Sequence, residues 1–166
     1  MKSLFCKRVL AFLIDYTVII IYAVLLFSGS TLLQNHFNVD LNFGSPIKNQ
    51  ILSFFTLTLP VFLYFFLSEK SNRKATIGKK VMGIKIAILK NQNNSVFLRN
   101  FFKFLPWEIA HIGVHQVVFY ESVSTETWIL LILPQIIVCW YLLSVIISKG
   151  KSSFYDKLSN TEVTLT

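Results

Sequence analysis

Asp15 stands inside an otherwise apolar run, KRVLAFLIDYTVIII (residues 7–21), with Arg8 seven positions before it. Seven residues are about two helical turns, so the two charges share a face, about 10 Å apart along the axis. A charge placed in hydrocarbon costs about 2.5–3.5 kcal/mol on insertion scales, so such a face turns toward a partner. Arg8 sits at the edge of the run and can snorkel to water, whereas Asp15 cannot. Further on, Glu108, His111 and His115 follow the i, i+3, i+7 spacing and share one helical face. Counting inward from the basic side sets His111 about as deep as Asp15, which predicts an Asp15–His111 hydrogen bond. Carboxylate and imidazole groups are the usual parts of intramembrane proton relays, so Asp15, Glu108, His111 and His115 form a candidate proton or cation path. The competing reading is that these groups satisfy one another and pin helix packing. Glu-x-x-His is also a ligand spacing of carboxylate-bridged metal centres in helix bundles. Two such motifs are needed there and this chain has one, so no metal is expected.

The elements that must position these residues are membrane helices. In a chain of 166 residues, 54% hydrophobic residues, 15% aromatics and a mean hydropathy of +0.59 are unlike a soluble domain. The net charge of +8 is patterned by region, with basic residues gathered between apolar runs, which argues against a nucleic-acid partner. Residues 9–27, 51–67 and 128–147 are each near the length of about 20 mostly apolar residues that crosses a bilayer. Pro60 and Pro134 are tolerable within such helices. Lysine and arginine mark the cytoplasmic side. Lys2, Lys7 and Arg8 put the N-terminus there, nine basic residues put loop 68–103 there, and Lys149, Lys151 and Lys157 put the tail there. An even number of crossings must therefore join the loop to the tail, and residues 104–120 are the candidate for the missing one. The loop after it, Glu121 to Thr127, has two glutamates and no base. The prediction is an all-α transmembrane bundle in a single domain, residues 1–166, with four spans and both termini cytoplasmic. A three-span version, with 104–120 lying in the interface, stays open.

Within the basic loop, KNQNNS (residues 90–95) reads as a polar turn. Ile77 to Leu89 reads as a basic amphipathic element on the membrane surface, and Lys79, Lys80 and Arg99 are the candidate basic cytoplasmic face for anionic lipid headgroups. Cys6 and Cys139 have neither the spacing nor the histidine neighbours of a disulfide or zinc framework. Asp15 interrupts the first run, which at about 19 residues also exceeds a typical signal-peptide core, so cleavage is not expected. Gly78-Lys79 lacks the rest of a phosphate-binding loop, and no Ser/His/Asp arrangement has supporting glycines. No cofactor and no enzymatic activity are expected.

Arg8 and Asp15, the stretch ATIGKKVMGIKI at 75–86, Arg99, and FYDKLSNTEV at 154–163 together resemble the RDD family of small integral membrane proteins. The family's one arginine and two aspartates correspond here to Arg8, Asp15 and Asp156. The resemblance covers nearly the whole chain and implies a multi-pass protein of the bacterial inner membrane. Transport, including cation/proton exchange, has been proposed for some members of that family. The face of Glu108, His111 and His115 is not part of the shared pattern. Asp156 follows the last span on the same membrane side as Arg8, which makes it the expected salt-bridge partner of Arg8. Two readings follow: transport through the charged residues, in which a bundle this small would work as a homo-oligomer, or a non-catalytic assembly subunit whose charges fix helix packing.

Overall fold

A computed structural model describes residues 3–38, 44–90, 94–120 and 123–166. Lys2, residues 91–93 of the polar turn, and Glu121 lie outside the described residues.

Helix α1 (Leu4–Phe37) starts where the Ser3 hydroxyl accepts the Cys6 N–H, and stops at Asn38, whose φ of +51° is left-handed. Its 34 residues rise about 51 Å, well beyond a hydrocarbon core of about 30 Å, and it extends past the predicted 9–27 span at both ends. Helix α2 (Pro46–Ser53) begins with Ser45 as cap and proline in the first turn. It continues through a π-helical turn, Phe54–Thr58, into α3 (Leu59–Lys70). Pro60 explains part of that turn, because it has no N–H to give to the carbonyl of Thr56 four residues back. The Tyr22 hydroxyl of α1 donates to that carbonyl instead, at 2.5 Å.

The same device recurs in α5 (Ser95–Phe119). Pro106 leaves the carbonyl of Phe102 without its helical donor, and the Tyr141 hydroxyl of α6 (Thr125–Ile147) donates to it at 2.9 Å. Gly113 lets α5 and α6 approach: a β-carbon there would lie 3.0 Å from a Leu131 methyl. Edge-to-face contacts of Phe62 with Phe97 and Phe104 join α3 to α5.

Between and after these helices lie short α4 (Ile77–Val81), β1 (Ile84–Ile88), α7 (Phe154–Leu158) and β2 (Thr161–Leu165). The amphipathic surface element predicted for 77–89 is corrected here. Its alternating isoleucines have the period of a strand, and they pair antiparallel with the tail, Ile84 opposite Leu165 and Ile86 opposite Val163. Ile84, Ile86 and Val163 point inward, and Ile84 and Val163 cluster with Ala11 of α1, with Leu4 and Met82 at the edge. Lys85 and Thr164 share the outward face of this ribbon.

Among the described residues, three helices are long and apolar enough to cross a membrane: Leu4–Phe37, the continuous Pro46–Lys70, and Thr125–Ile147. Helix α5, with 25 residues, has the length but is less apolar, and it begins nine residues before the predicted 104 because Ser95 to Lys103 are already helical. Most large apolar side chains on the long helices face outward, as lipid-facing surfaces do.

Candidate functional site

Buried charges meet where the start of α1, the end of α3, the start of α5 and α7 converge. Asp156 is held first by local chemistry. In the first turn of α7, Ser153 and Asp156 form a capping box, in which the Ser153 N–H and hydroxyl donate to Asp156 Oδ2 at 2.8 and 3.0 Å. Arg8 Nη2 reaches the same oxygen at 2.5 Å, so the pairing expected between Arg8 and Asp156 is present. The other nitrogen of the Arg8 fork, Nη1, donates to the carbonyls of Gly150 and Lys151 at 3.3 and 3.4 Å. Gly150 is required at this approach: it has φ +90°, and a β-carbon would lie 2.5 Å from the Phe5 nitrogen.

Arg99 extends the network. Its Nε lies 2.9 Å from Asp156 Oδ1, a contact that is Coulombic and not an aligned hydrogen bond. Its Nη1 donates to both oxygens of Glu69, at 3.0 and 3.1 Å. Glu69 also accepts from Lys79 Nζ and, at 2.9 Å, from the Asn100 amide. Three cations thus pair with two anions, Lys103 adds a further positive charge near Glu69, and the guanidinium of Arg99 lies 5.3 Å from the centre of the Tyr155 ring, which faces the excess positive charge. Burial alone would raise the Asp156 carboxyl, but Arg99 and Arg8 outweigh it and, with the Ser153 N–H, hold it below the usual aspartate range. Burial pulls the Lys79 ammonium down, with Glu69 partly offsetting it.

Lys79, Lys80 and Arg99 therefore do not make one basic face. Lys79 and Arg99 are turned inward because Glu69 and Asp156 need them, and only Lys80 is exposed. Glu69, Asn100 and Tyr155 were not read from the sequence. Glu69 had a signal, since it is the one acidic residue among positions 68–103.

Asp15 is also buried, in a separate site. Its Oδ1 accepts the Tyr64 hydroxyl and the Gly78 N–H, both at 2.9 Å, and its Oδ2 accepts the Thr76 hydroxyl at 2.6 Å. Thr76 is the N-cap of α4, so Asp15 fastens that short helix to α1. The fit is tight: a β-carbon on Gly78 would lie 2.1 Å from the Ala11 carbonyl oxygen. The predicted Asp15–His111 bond is not formed. Helix α5 packs on α2, α3 and α6, whereas α1 packs on α4 and the π-helical turn, so equal depth did not bring the two side chains together.

Glu108, His111 and His115 do share a face, and it turns toward α2. Gln50 Nε2 donates to Glu108 Oε2 at 2.9 Å, and Ser53 Oγ lies 3.0 Å from His115 Nε2. His111 Nδ1 is 3.9 Å from Glu108 Oε1. Those two atoms and Gln50 Oε1 are buried without a hydrogen-bond partner. Among the described residues, no group of three or more His, Cys, Asp or Glu side chains is arranged to hold a metal ion.

The sequence matches the RDD family over residues 3–160. No curated protein and no solved structure matches it. The match spans Arg8, Asp15 and Asp156, together with the Glu69, Lys79 and Arg99 that complete their surroundings, and this multi-pass membrane chain belongs to the RDD family.

Proposed function

We propose that this protein is a non-catalytic, membrane-embedded assembly or interaction subunit in which the family's charged residues act as a packing lock. One observation carries the reading: Arg8, Asp15 and Asp156 all have their hydrogen-bond and ion-pair partners on other parts of the same chain. A transport path needs groups that alternate between partners, and these have fixed ones on five separate elements, α1, α3, α4, α5 and α7. The same network favours four crossings with both ends on the cytoplasmic side, because it gathers the start of α1, the end of α3, the start of α5 and the segment after α6 at one end of the bundle. In that topology α5 supplies the fourth crossing, and the lipid bilayer with its anionic headgroups is the principal partner. A bacterial inner membrane suits that arrangement.

A second reading has its own support. Glu108 Oε1, His111 Nδ1 and Gln50 Oε1 are buried and unpartnered on facing helices, the condition in which a proton or small cation would be taken up. A bundle of only four helices encloses little room, so movement of an ion would require a homo-oligomer.

Vesicles loaded with a pH-sensitive dye separate the two. Under the lock reading, folded wild-type protein gives no proton movement when Na⁺ or K⁺ gradients are applied. A cation-driven signal that Glu108→Gln abolishes while the fold is kept would replace the lock reading with the second.

A further inference from the structure

A small concavity is lined by Asn72, Arg73, Lys80, Lys85 and Thr166, together with Ala75 and Ile84. Its volume is about 220 Å³, under the ~300–1,000 Å³ of pockets that enclose a whole small molecule, so it suits one chemical group. Three of its lining side chains are cations. None of the three has an acidic partner among the described residues, in contrast to the inward-facing Lys79 and Arg99, whose charges are matched. Lys7 adds a fourth cation nearby: a β-carbon on Gly83 would lie 4.0 Å from Lys7 Nζ and 3.7 Å from the Thr166 hydroxyl oxygen.

Like charges held around one hollow repel unless an anion sits between them. The donor types specify the anion further. Arg73 offers a planar fork that spans two oxygens, Lys80 and Lys85 offer point charges, and the Asn72 amide and Thr166 hydroxyl offer neutral donors. A phosphomonoester carries about −1.5 to −2 charge and three strong acceptor oxygens, which matches that set. A carboxylate has too few oxygens to engage it all. We infer that this pocket binds a phosphomonoester group, supplied by a lipid headgroup of the phosphatidic-acid type or by a soluble phosphate. The inference is independent of the packing-lock reading, since none of the pocket's cations belongs to the lock.

The test is calorimetric titration of the full chain in detergent with dihexanoyl phosphatidic acid, dihexanoyl phosphatidylcholine and inorganic phosphate. Saturable binding of phosphatidic acid, with none of phosphatidylcholine, is expected. Arg73→Gln/Lys80→Gln/Lys85→Gln weakens it at least tenfold with the melting temperature unchanged, and the single Lys80→Gln gives a smaller loss should the triple variant not fold. Inorganic phosphate bound as tightly as the lipid supports the pocket and assigns a soluble source; a strong preference for the lipid supports it and assigns the headgroup. No saturable binding of either probe overturns the inference. So does an equal loss in Lys90→Gln/Lys149→Gln/Lys157→Gln, which would mark a general surface-charge effect.

Discussion

Asp156 receives Arg8 and Arg99 on opposite oxygens while its own helix cap holds it in place, so replacing it strands two buried cations at once. Removing one partner of a buried ion pair typically costs about 3–5 kcal/mol, and Asp156→Asn is expected to fall in that range by denaturant unfolding in detergent. Arg99→Lys is expected to be nearly as costly as removal, because one ammonium cannot span two carboxylates in the way the fork does. The pH dependence has a definite sign. A carboxyl whose folded value is depressed contributes stability that is complete above its unfolded value and is lost as pH falls through the folded one. Stability drawn from Asp156 is therefore intact at pH 5 and declines only below the ordinary aspartate value of 3.8, as circular dichroism melts across pH 2–5 would record. At Gly78 the constraint is steric. A methyl group 2.1 Å from the Ala11 carbonyl forces α4 off α1, so Gly78→Ala is expected to cost at least about 1–3 kcal/mol. The Arg8–Asp156 pair was legible in the sequence because both residues flank spans on the basic side. The partners of Asp15 were not, because its donors come from a backbone N–H and two hydroxyls that carry no charge signature.

At the scale of elements, two proline-bearing helices are completed by tyrosines of their neighbours. Tyr22 and Tyr141 each take the carbonyl that a proline frees, so Tyr22→Phe and Tyr141→Phe each leave a buried acceptor unsatisfied, at about 1–3 kcal/mol. The pairing makes a sharper claim: in a Pro106→Ala background, where an N–H is restored, Tyr141→Phe is expected to cost close to nothing. Equal costs in the two backgrounds, measured by unfolding, would show that the hydroxyl contributes independently of the carbonyl that Pro106 frees. The apolar runs were enough to locate the long helices, since length and composition are local properties. Their ends were less visible: α1 runs ten residues beyond the predicted 27, where the sequence turns polar but remains helical. The ribbon escaped reading altogether. Ile84, Ile86 and Ile88 have strand alternation, but the partner that makes a strand of them lies more than seventy residues away, and the intervening lysines resemble those of a surface helix.

Across the whole molecule, the ion network joins the ends of α1, α3 and α5 to α7, adding to the single polar contacts that tie the helices together along their length. Helices in a bilayer gain little from burying apolar surface against one another, so polar contacts and close packing must choose their arrangement. The buried apolar cluster of Ala11, Ile84 and Val163 is correspondingly small, and it lies beside the network, away from the middle of the bundle. Which charges would meet was only half legible. Sequence order and the positive-inside pattern brought Arg8 to Asp156, but Glu69 and Lys79 were hidden in a segment read as uniformly basic. Under the lock reading these charges form one energetic unit, and a double-mutant cycle on Arg99→Gln and Glu69→Gln, with unfolding free energy measured in detergent, tests whether they do. The double variant is expected to lose less than the sum of the single ones, by about 0.5–3 kcal/mol. Strict additivity would contradict it, and would mean that the two side chains meet in the structure without holding it together.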